Sequence, residues 1–276
     1  MPTNQIQVVA NAAALAQSAA QLFVETAQKN ITEQGRFTVA LSGGSTPKAM
    51  FMLLAQRPYC DAVDWSQTFV FWGDERCVPP DHPDSNYRMT NEALLSHLPV
   101  PAQNIFRMEG EKEPAQAAQA YADKLRQFFQ TDSYPQFDLV FLGMGADGHT
   151  ASLFPNTKAL QAEDGEIVVA NYVEKLQAHR LTLTAATINR AHTIVFLISG
   201  ADKAAPLKAV LQGEKLSDGI IRFKWPWNQA FGGGPISTDS PRASETATGS
   251  GQSSQGQSIQ GQGGSVGAGP VRRDRE

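Results

Sequence analysis

The segment FTVALSGGSTPKAMFMLL, residues 37–54, decides the fold class. Its first five residues are typical of a buried strand, the glycines of SGGSTP predict a turn, and the residues from 48 onward predict a helix. The same alternation continues along the chain. Strands are predicted at residues 6–9, 69–72, 137–142, 167–170, 181–183 and 192–198, and helices from Asn11, at 85–98, at 114–129 and at 203–211. This order indicates an α/β fold, a mainly parallel sheet with helices on both faces in a Rossmann-like three-layer α/β/α arrangement.

The composition excludes several classes of protein. The 276 residues are 41% hydrophobic and carry a net charge of −4. Nucleic-acid and anionic-membrane surfaces need clustered Lys and Arg, so we expect neither partner. The two cysteines, Cys60 and Cys77, have no disulfide-framework or metal-site spacing. The amino-terminal residues show no signal-peptide pattern, and no apolar run reaches the roughly 18 residues of a membrane span, so we expect a cytoplasmic protein.

The pattern of strands and helices stops well before the last residue. Residues 231–276 hold 11 of the 23 glycines, together with many Ser and Gln and almost no aliphatic side chains. Such a segment cannot bury enough apolar surface to offset the entropy of ordering it. We therefore predict one domain over residues 1–231 and a disordered tail over residues 232–276.

Three polar segments that contain glycine follow predicted strands: SGGST after residue 41, GDER after residue 72 and GMGADGHT after residue 142. In parallel sheets, ligands bind beyond the carboxyl ends of the strands. The sequence therefore predicts one site built from these three segments.

The segment SGGSTP has the pattern of an anion site at the start of a helix. Its glycines allow backbone N–H groups to approach a phosphate, and its hydroxyl groups add donors. The candidate phosphate ligands are Ser42, Gly43, Gly44, Ser45 and Thr46. The alternative is an ordinary strand-to-helix turn capped by Thr46. The segment is not a Walker loop, because the GxxxxGK[ST] spacing is absent.

The segment GMGADGHT matches GxGxxG, but a dinucleotide site also needs a long helix directly after it. Pro155 allows only a short turn here, so we reject that interpretation. His149 follows the glycines and is our candidate for a group that titrates near neutrality.

The segment GDER adds further candidates. Asp74 is suited to orient a base or to act as one, and Arg76 is suited to a phosphate or an oxyanion. We expect Glu75 to belong to a solvated charge cluster. Arg180 and Lys203 flank predicted strands and add positive charge; taken alone, both are typical of surface residues.

In order and spacing, the segments SGGSTP, WGDERCVPPDHPDSN, GMGADGHTASLFP, RLTLT and GADKA resemble the signature segments of the 6-phosphogluconolactonase family. The resemblance covers about residues 11–215. It implies hydrolysis of 6-phospho-D-glucono-1,5-lactone to 6-phosphogluconate in the oxidative pentose phosphate pathway, with a small sugar phosphate lactone as substrate.

The resemblance also implies roles for the candidate residues. His149 would activate water, and Arg76 would neutralise substrate or transition-state charge. Asp74 or Asp147 would orient His149 or the water. SGGST, Arg180 and Lys203 would bind the phosphate. No metal, cofactor or obligate protein partner is implied.

The sequence departs from the family in two places. EKLQAH stands before Arg180, where the family usually has prolines, and residues 216–231 replace an expected strand and helix. A frameshift or read-through near Leu216 and a natural lineage-specific tail both explain the second departure. Two other functions stay open: a hexosamine-6-phosphate deaminase–isomerase, which shares the fold, and a non-catalytic sugar-phosphate binder.

Overall fold

The structure, a computed structural model, describes residues 5–212. Within them the strands are β1 (Phe37–Leu41), β2 (Thr68–Trp72), β3 (Asp74–Arg76), β4 (Ile105–Phe106), β5 (Leu139–Leu142), β6 (Val168–Val173), β7 (Ala178–Leu183) and β8 (Thr193–Phe196). The α-helices are α1 (Ala12–Gln34), α2 (Ser45–Leu54), α3 (Asn86–Ala93), α4 (Pro114–Phe129), α5 (Ala185–Ile188) and α6 (Ala204–Gln212).

Strand β1 is the centre of a five-stranded parallel sheet with the order β4-β2-β1-β5-β8. The register pairs Leu41 with Trp72, and Leu142 with Phe196. The strands β2, β1, β5 and β8 therefore end side by side. The three polar segments predicted to form one site follow adjacent strands, as expected, and the segment after β8 joins them.

One face of this sheet is covered by α1, α2 and α3. Phe37, Val39 and Leu41 of β1 point into this layer, since alternate residues of a strand share a face. Phe23 of α1 meets Phe37 edge-on, with ring centroids 5.3 Å apart. The predicted start of α1 is confirmed, because the side chain of Asn11 accepts a hydrogen bond from the backbone N–H of Ala14 at 2.9 Å.

The other face is covered by α4 and by a second, antiparallel sheet with the order β3-β7-β6. The α/β fold class with helices on both faces is confirmed, and this small sheet is an addition to it. The sequence indicated strands near β6 and β7 but not their antiparallel pairing. It also missed β3, because a three-residue strand of charged side chains has no apolar period.

Two predicted elements differ from the structure. Residues 6–9 form no strand, and Ile6 and Val8 are 54% and 89% exposed, because no strand among the described residues pairs with this run. The helix predicted at 85–98 ends earlier. Ser85 caps α3, which stops at Ala93 and gives way to a 3-10 turn.

The domain boundary predicted at residue 231, the atypical segment 216–231 and the predicted disordered tail all lie outside the described residues. Within residues 5–212, no helix is both long enough and apolar enough to cross a membrane.

Candidate active site

The glycine-rich segment after β5 places His149 close to the backbone. Its ring stacks on Phe154, with centroids 3.9 Å apart and planes 22° apart. The ring also lies close to Gly145, where a Cβ atom would be 2.0 Å from Nδ1 of His149. Gly148 has φ of 81°, a conformation that favours glycine. The glycines of this segment thus allow the imidazole to lie against the main chain.

His149 is hydrogen-bonded to Asp147. Nδ1 lies 2.5 Å from Oδ1 of the carboxylate, and the backbone N–H of His149 donates to the same oxygen at 3.2 Å. The other carboxylate oxygen accepts from the ammonium group of Lys175. Burial raises the pKa of Asp147, but the hydrogen bonds from Lys175 and His149 outweigh it and lower this pKa to about 2. Because an ionised carboxylate can only accept a hydrogen bond, Asp147 favours the tautomer of His149 that carries its proton on Nδ1, in which Nε2 is the proton acceptor.

This geometry separates the two aspartates that the sequence left as equal candidates. Asp147 pairs with the imidazole, whereas Asp74 is buried and accepts a hydrogen bond from the hydroxyl of Ser152 at 2.7 Å. The amide of Asn86 donates to the backbone carbonyl of Asp74 at 2.9 Å. Asp74 therefore anchors the segment that follows His149 to β3.

Glu75 does not belong to a solvated charge cluster, so that expectation is wrong. Its side chain is 2% exposed and accepts hydrogen bonds from the backbone N–H groups of Arg76, Asn86 and Tyr87. Burial raises its pKa, and these hydrogen bonds oppose the rise. The carboxylate satisfies N–H groups at the start of α3, which have no partners within the helix. This role depends on a contact between residues 11 or more apart, so no local pattern predicts it.

Arg76 and Arg180 are direct cross-strand neighbours on β3 and β7. Burial, and then the charge of Arg76, lower the pKa of Arg180. Their guanidinium groups donate to backbone carbonyls, Arg180 to His179 at 3.0 Å and Arg76 to Asp84. Among the described residues, neither arginine forms an ion pair with a carboxylate. Because like charges placed opposite each other are unfavourable, this pair is suited to an anionic ligand.

The segment SGGST surrounds the start of α2. Gly44 is the N-cap residue and has φ of 106°, and no side chain caps the helix, so the alternative of a Thr46 cap is wrong. The first-turn N–H groups at Ser45 and Thr46 are therefore oriented for an anion. Ser42 is different, because its buried hydroxyl donates to the carbonyl of Phe141 at 2.7 Å. Its hydroxyl proton links β1 to β5.

Gly43 and Lys203 complete the predicted set. A Cβ atom at Gly43 would lie 1.8 Å from Oδ1 of Asn86, so only glycine fits against that amide. Lys203 ends a 3-10 turn after β8, and its ammonium group pairs with Asp202 at 2.7 Å. Across residues 5–212, no group of three or more His, Cys, Asp or Glu side chains is arranged to hold a metal ion.

Comparison with known proteins identifies the family of the chain. Residues 10–222 match the family model described as glucosamine-6-phosphate isomerases/6-phosphogluconolactonase. The chain belongs to this family. It is 44% identical to the 6-phosphogluconolactonase of Synechocystis sp. over 213 residues, which are 76% of this chain and 86% of that relative. It is 41% identical to the 6-phosphogluconolactonase of Nostoc sp., over 74% of this chain and 84% of the relative.

A solved structure shows the same relation. The structure of 6-phosphogluconolactonase from Trypanosoma brucei superposes with a TM-score of 0.69 at 30% identity, over 79% of this chain and 90% of that one. The family match ends at residue 222, ten residues beyond the described part of the chain. The resemblance to the lactonase family is thus confirmed, while the role of each site residue stays a prediction.

Lys175 is the site residue that the sequence did not indicate. It lies in EKLQAH, the segment that departs from the usual proline-containing pattern, and it is 28 residues from its partner Asp147. A single charged residue in a polar loop is typical of a solvated surface, and only the fold brings it to the carboxylate.

Proposed function

We propose that this protein hydrolyses 6-phospho-D-glucono-1,5-lactone to 6-phospho-D-gluconate. The observation that carries the proposal is the hydrogen-bonded pair of Asp147 and His149 at the carboxyl edge of the sheet. The paired arginines at positions 76 and 180 and the uncapped start of α2 supply positive charge and N–H donors for a sugar phosphate. The names of the relatives point to the same reaction.

In the proposed reaction, Nε2 of His149 takes a proton from water as the water oxygen attacks the lactone carbonyl carbon. The oxyanion of the resulting tetrahedral intermediate is stabilised by the guanidinium group of Arg76. The bond between the carbonyl carbon and the ring oxygen then breaks, and the imidazolium returns its proton to that oxygen. The carboxylic acid formed loses a proton to solvent. Asp147 stays ionised throughout and stabilises the imidazolium.

The phosphate has a separate role in this proposal. Its contacts with Arg180, Lys203 and the N–H groups at Ser45 and Thr46 are remote from the carbonyl. Binding energy from such contacts positions the reacting group and so raises the rate. Asp74 and Gly43 act on the site indirectly, by holding the segments that carry these groups.

The base is tested by His149→Ala. We expect kcat to fall by about 10²–10⁴-fold, the usual contribution of a general base. The assay supplies the lactone with glucose-6-phosphate dehydrogenase, follows its hydrolysis with 6-phosphogluconate dehydrogenase, and subtracts the spontaneous rate. His192→Ala is the matched control, because His192 is exposed and precedes β8 at the opposite edge of the sheet. An equal loss in both variants would contradict the assignment.

The coupled assay, together with a binding measurement and an ammonia assay, distinguishes the other functions. Wild-type protein is expected to keep its rate in excess EDTA, and a loss restored by a divalent ion would contradict the metal-independent reaction. Binding of 6-phosphogluconate without turnover would instead support the non-catalytic binder. Release of ammonia from glucosamine 6-phosphate would support the deaminase–isomerase.

Phosphate recognition is tested by Arg180→Ala on two substrates. A charge-assisted hydrogen bond contributes about 1.5–3 kcal/mol, so kcat/KM for the phosphorylated lactone is expected to fall roughly 10–100-fold. We expect unphosphorylated gluconolactone to be a poor substrate of the wild type, and its kcat/KM to fall far less in the variant. Lys203→Ala tests the other cation in the same way. Equal losses on both substrates would show that the residue supports the fold rather than the phosphate.

The cytoplasm is the proposed location of this reaction. Cys60 and Cys77 are free thiols in the structure, as is usual in a reducing compartment.

A further inference from the structure

Lys175 touches both groups that hold the imidazole of His149. Lys175 belongs to the 3-10 turn Glu174–Leu176, which connects β6 to β7. The ammonium group donates to Oδ2 of Asp147, whose Oδ1 is bonded to Nδ1 of His149. The same ammonium lies 5.0 Å from the centre of the Phe154 ring, on which the imidazole stacks. One side chain on the turn between β6 and β7 therefore contacts both the carboxylate of Asp147 and the ring of Phe154.

We propose that Lys175 is a positioning residue for the catalytic base: it locks the carboxylate of Asp147 in place and balances its charge, and so sets how strongly His149 holds its proton. The kinetic part of this inference rests on the proposed lactonase function. Its structural part does not, because it depends only on the contacts that join Lys175, Asp147 and His149.

Without Lys175, the carboxylate of Asp147 would lose the ammonium group that pairs with its Oδ2. The side chain of Asp147 is 31% exposed, so it would be free to rotate towards solvent. While it stays in place, its uncompensated negative charge would favour the protonated imidazole. We therefore expect two effects from loss of the lysine. The imidazole of His149 is less ordered, and it gives up its proton only at higher pH.

The surrounding charges do not duplicate this role. Glu174 neighbours Lys175 on the same turn, and Asp74 reaches the His149 segment only through the hydroxyl of Ser152. Arg76 and Arg180 face each other across β3 and β7. All of them are the same in the wild type and in a Lys175 variant, so a difference between the two proteins reports on Lys175.

The kinetic test compares the wild type with Lys175→Met and Lys175→Arg over pH 5–8. In Lys175→Met, we expect kcat to fall about tenfold and the acid limb of kcat/KM to move to higher pH by about 0.5–1 unit; the half-exposed lysine limits the shift. Lys175→Arg is expected to restore both values, since it keeps the charge. Ionisation of the substrate phosphate is common to all variants and cancels. Lys29→Met, which removes one exposed charge from α1, is the matched control and should match the wild type.

The second measurement needs no activity. Nitrogen-15 NMR of the imidazole rings in the full chain, without ligand, follows the titration of His149 in the wild type and in Lys175→Met. We expect the proton on Nδ1 in the neutral wild-type ring and a midpoint that moves to higher pH in the variant. An unmoved midpoint would overturn the proposal even if kcat falls. Loss of a residue with only a structural role can also lower kcat, but it would not move the titration of His149. If the wild type has no lactonase activity, the proposed function fails, but the NMR titration still decides the role of Lys175.

Discussion

The position of His149 depends on the absence of a side chain at Gly145 as much as on the groups that contact the imidazole. The imidazole occupies space that any Cβ atom at position 145 would take, and it also stacks on Phe154. A flexible histidine would lose rotational freedom when substrate binds. An imidazole that already contacts the backbone and an aromatic ring loses little freedom, and this favours catalysis by a fixed base.

Gly145→Ala, which adds one methyl group, tests whether the fixed position of His149 matters for catalysis. The new Cβ atom would lie 2.0 Å from Nδ1 of His149 and 2.8 Å from Oδ1 of Asp147. The ring and the carboxylate must both move, so we expect kcat to fall by about 10²-fold, the usual effect of a displacement of about 1 Å. We expect the melting temperature to change little, because the ring can move towards solvent.

Gly143→Ala is the matched control for this substitution. It lies in the same segment, and a Cβ atom there would meet no atom within 4 Å. We expect near-normal kcat. If Gly143→Ala were as damaging as Gly145→Ala, the loss would come from backbone flexibility rather than from the space beside His149.

At the scale of the element, the two ends of β5 have different roles: the residues at its start stabilise the fold, and the segment after its end carries the proposed base. Asp138 precedes the strand and is 5% exposed. One of its carboxylate oxygens accepts from the backbone N–H and the hydroxyl of Thr38, at 2.8 and 2.7 Å, and the other accepts from Gln34 at 2.8 Å. These bonds join β5 to β1 and α1. The opposite end of β5 leads into the segment of His149.

Asp138→Ala is expected to lower stability without changing the chemistry. The buried N–H of Thr38 would lose its carboxylate partner, and an unsatisfied buried donor costs about 1–3 kcal/mol. Chemical denaturation of the wild type, Asp138→Ala and Asp138→Asn measures this difference, with the asparagine variant expected to retain part of it. The kcat of folded Asp138→Ala should equal that of the wild type. A large fall in kcat with unchanged stability would show that the two ends of β5 are coupled.

The elements differ in how well the sequence predicts them. The parallel strands β1, β2, β5 and β8 are apolar runs followed by polar turns. These strands, and the placement of polar segments at their carboxyl ends, were predictable. The pairing of β3 with β7, the burial of Glu75 and the contact of Lys175 with Asp147 were not. Each joins residues far apart in the chain, and the residues involved are charged, so their local pattern is that of an exposed loop.

At the scale of the whole molecule, the structure describes residues only up to 212, whereas the match to the family continues beyond them. Among residues 5–212, β8 is an edge strand, which pairs with β5 on one side, and its four residues are only partly buried. An exposed apolar edge is unfavourable and promotes association with other chains. The family match continues to residue 222, so the sequence after α6 includes residues that belong to the family's domain.

Two truncations test which part of the remaining sequence completes the domain. Residues 216–231 include Ile220, Ile221, Phe223, Trp225 and Trp227, which are apolar enough to cover part of the sheet. Removing residues 216–276 is therefore expected to lower the melting temperature by several degrees and to promote aggregation. Removing only residues 232–276 is expected to change neither melting temperature nor kcat, because their Gly, Ser and Gln composition offers little apolar surface to bury. Melting curves and light scattering of both truncated chains beside the full chain measure these effects. If the shorter deletion already lowers the melting temperature, the boundary at residue 231 is wrong; if the longer one does not, the edge beside β8 needs no cover and the domain is complete before residue 216.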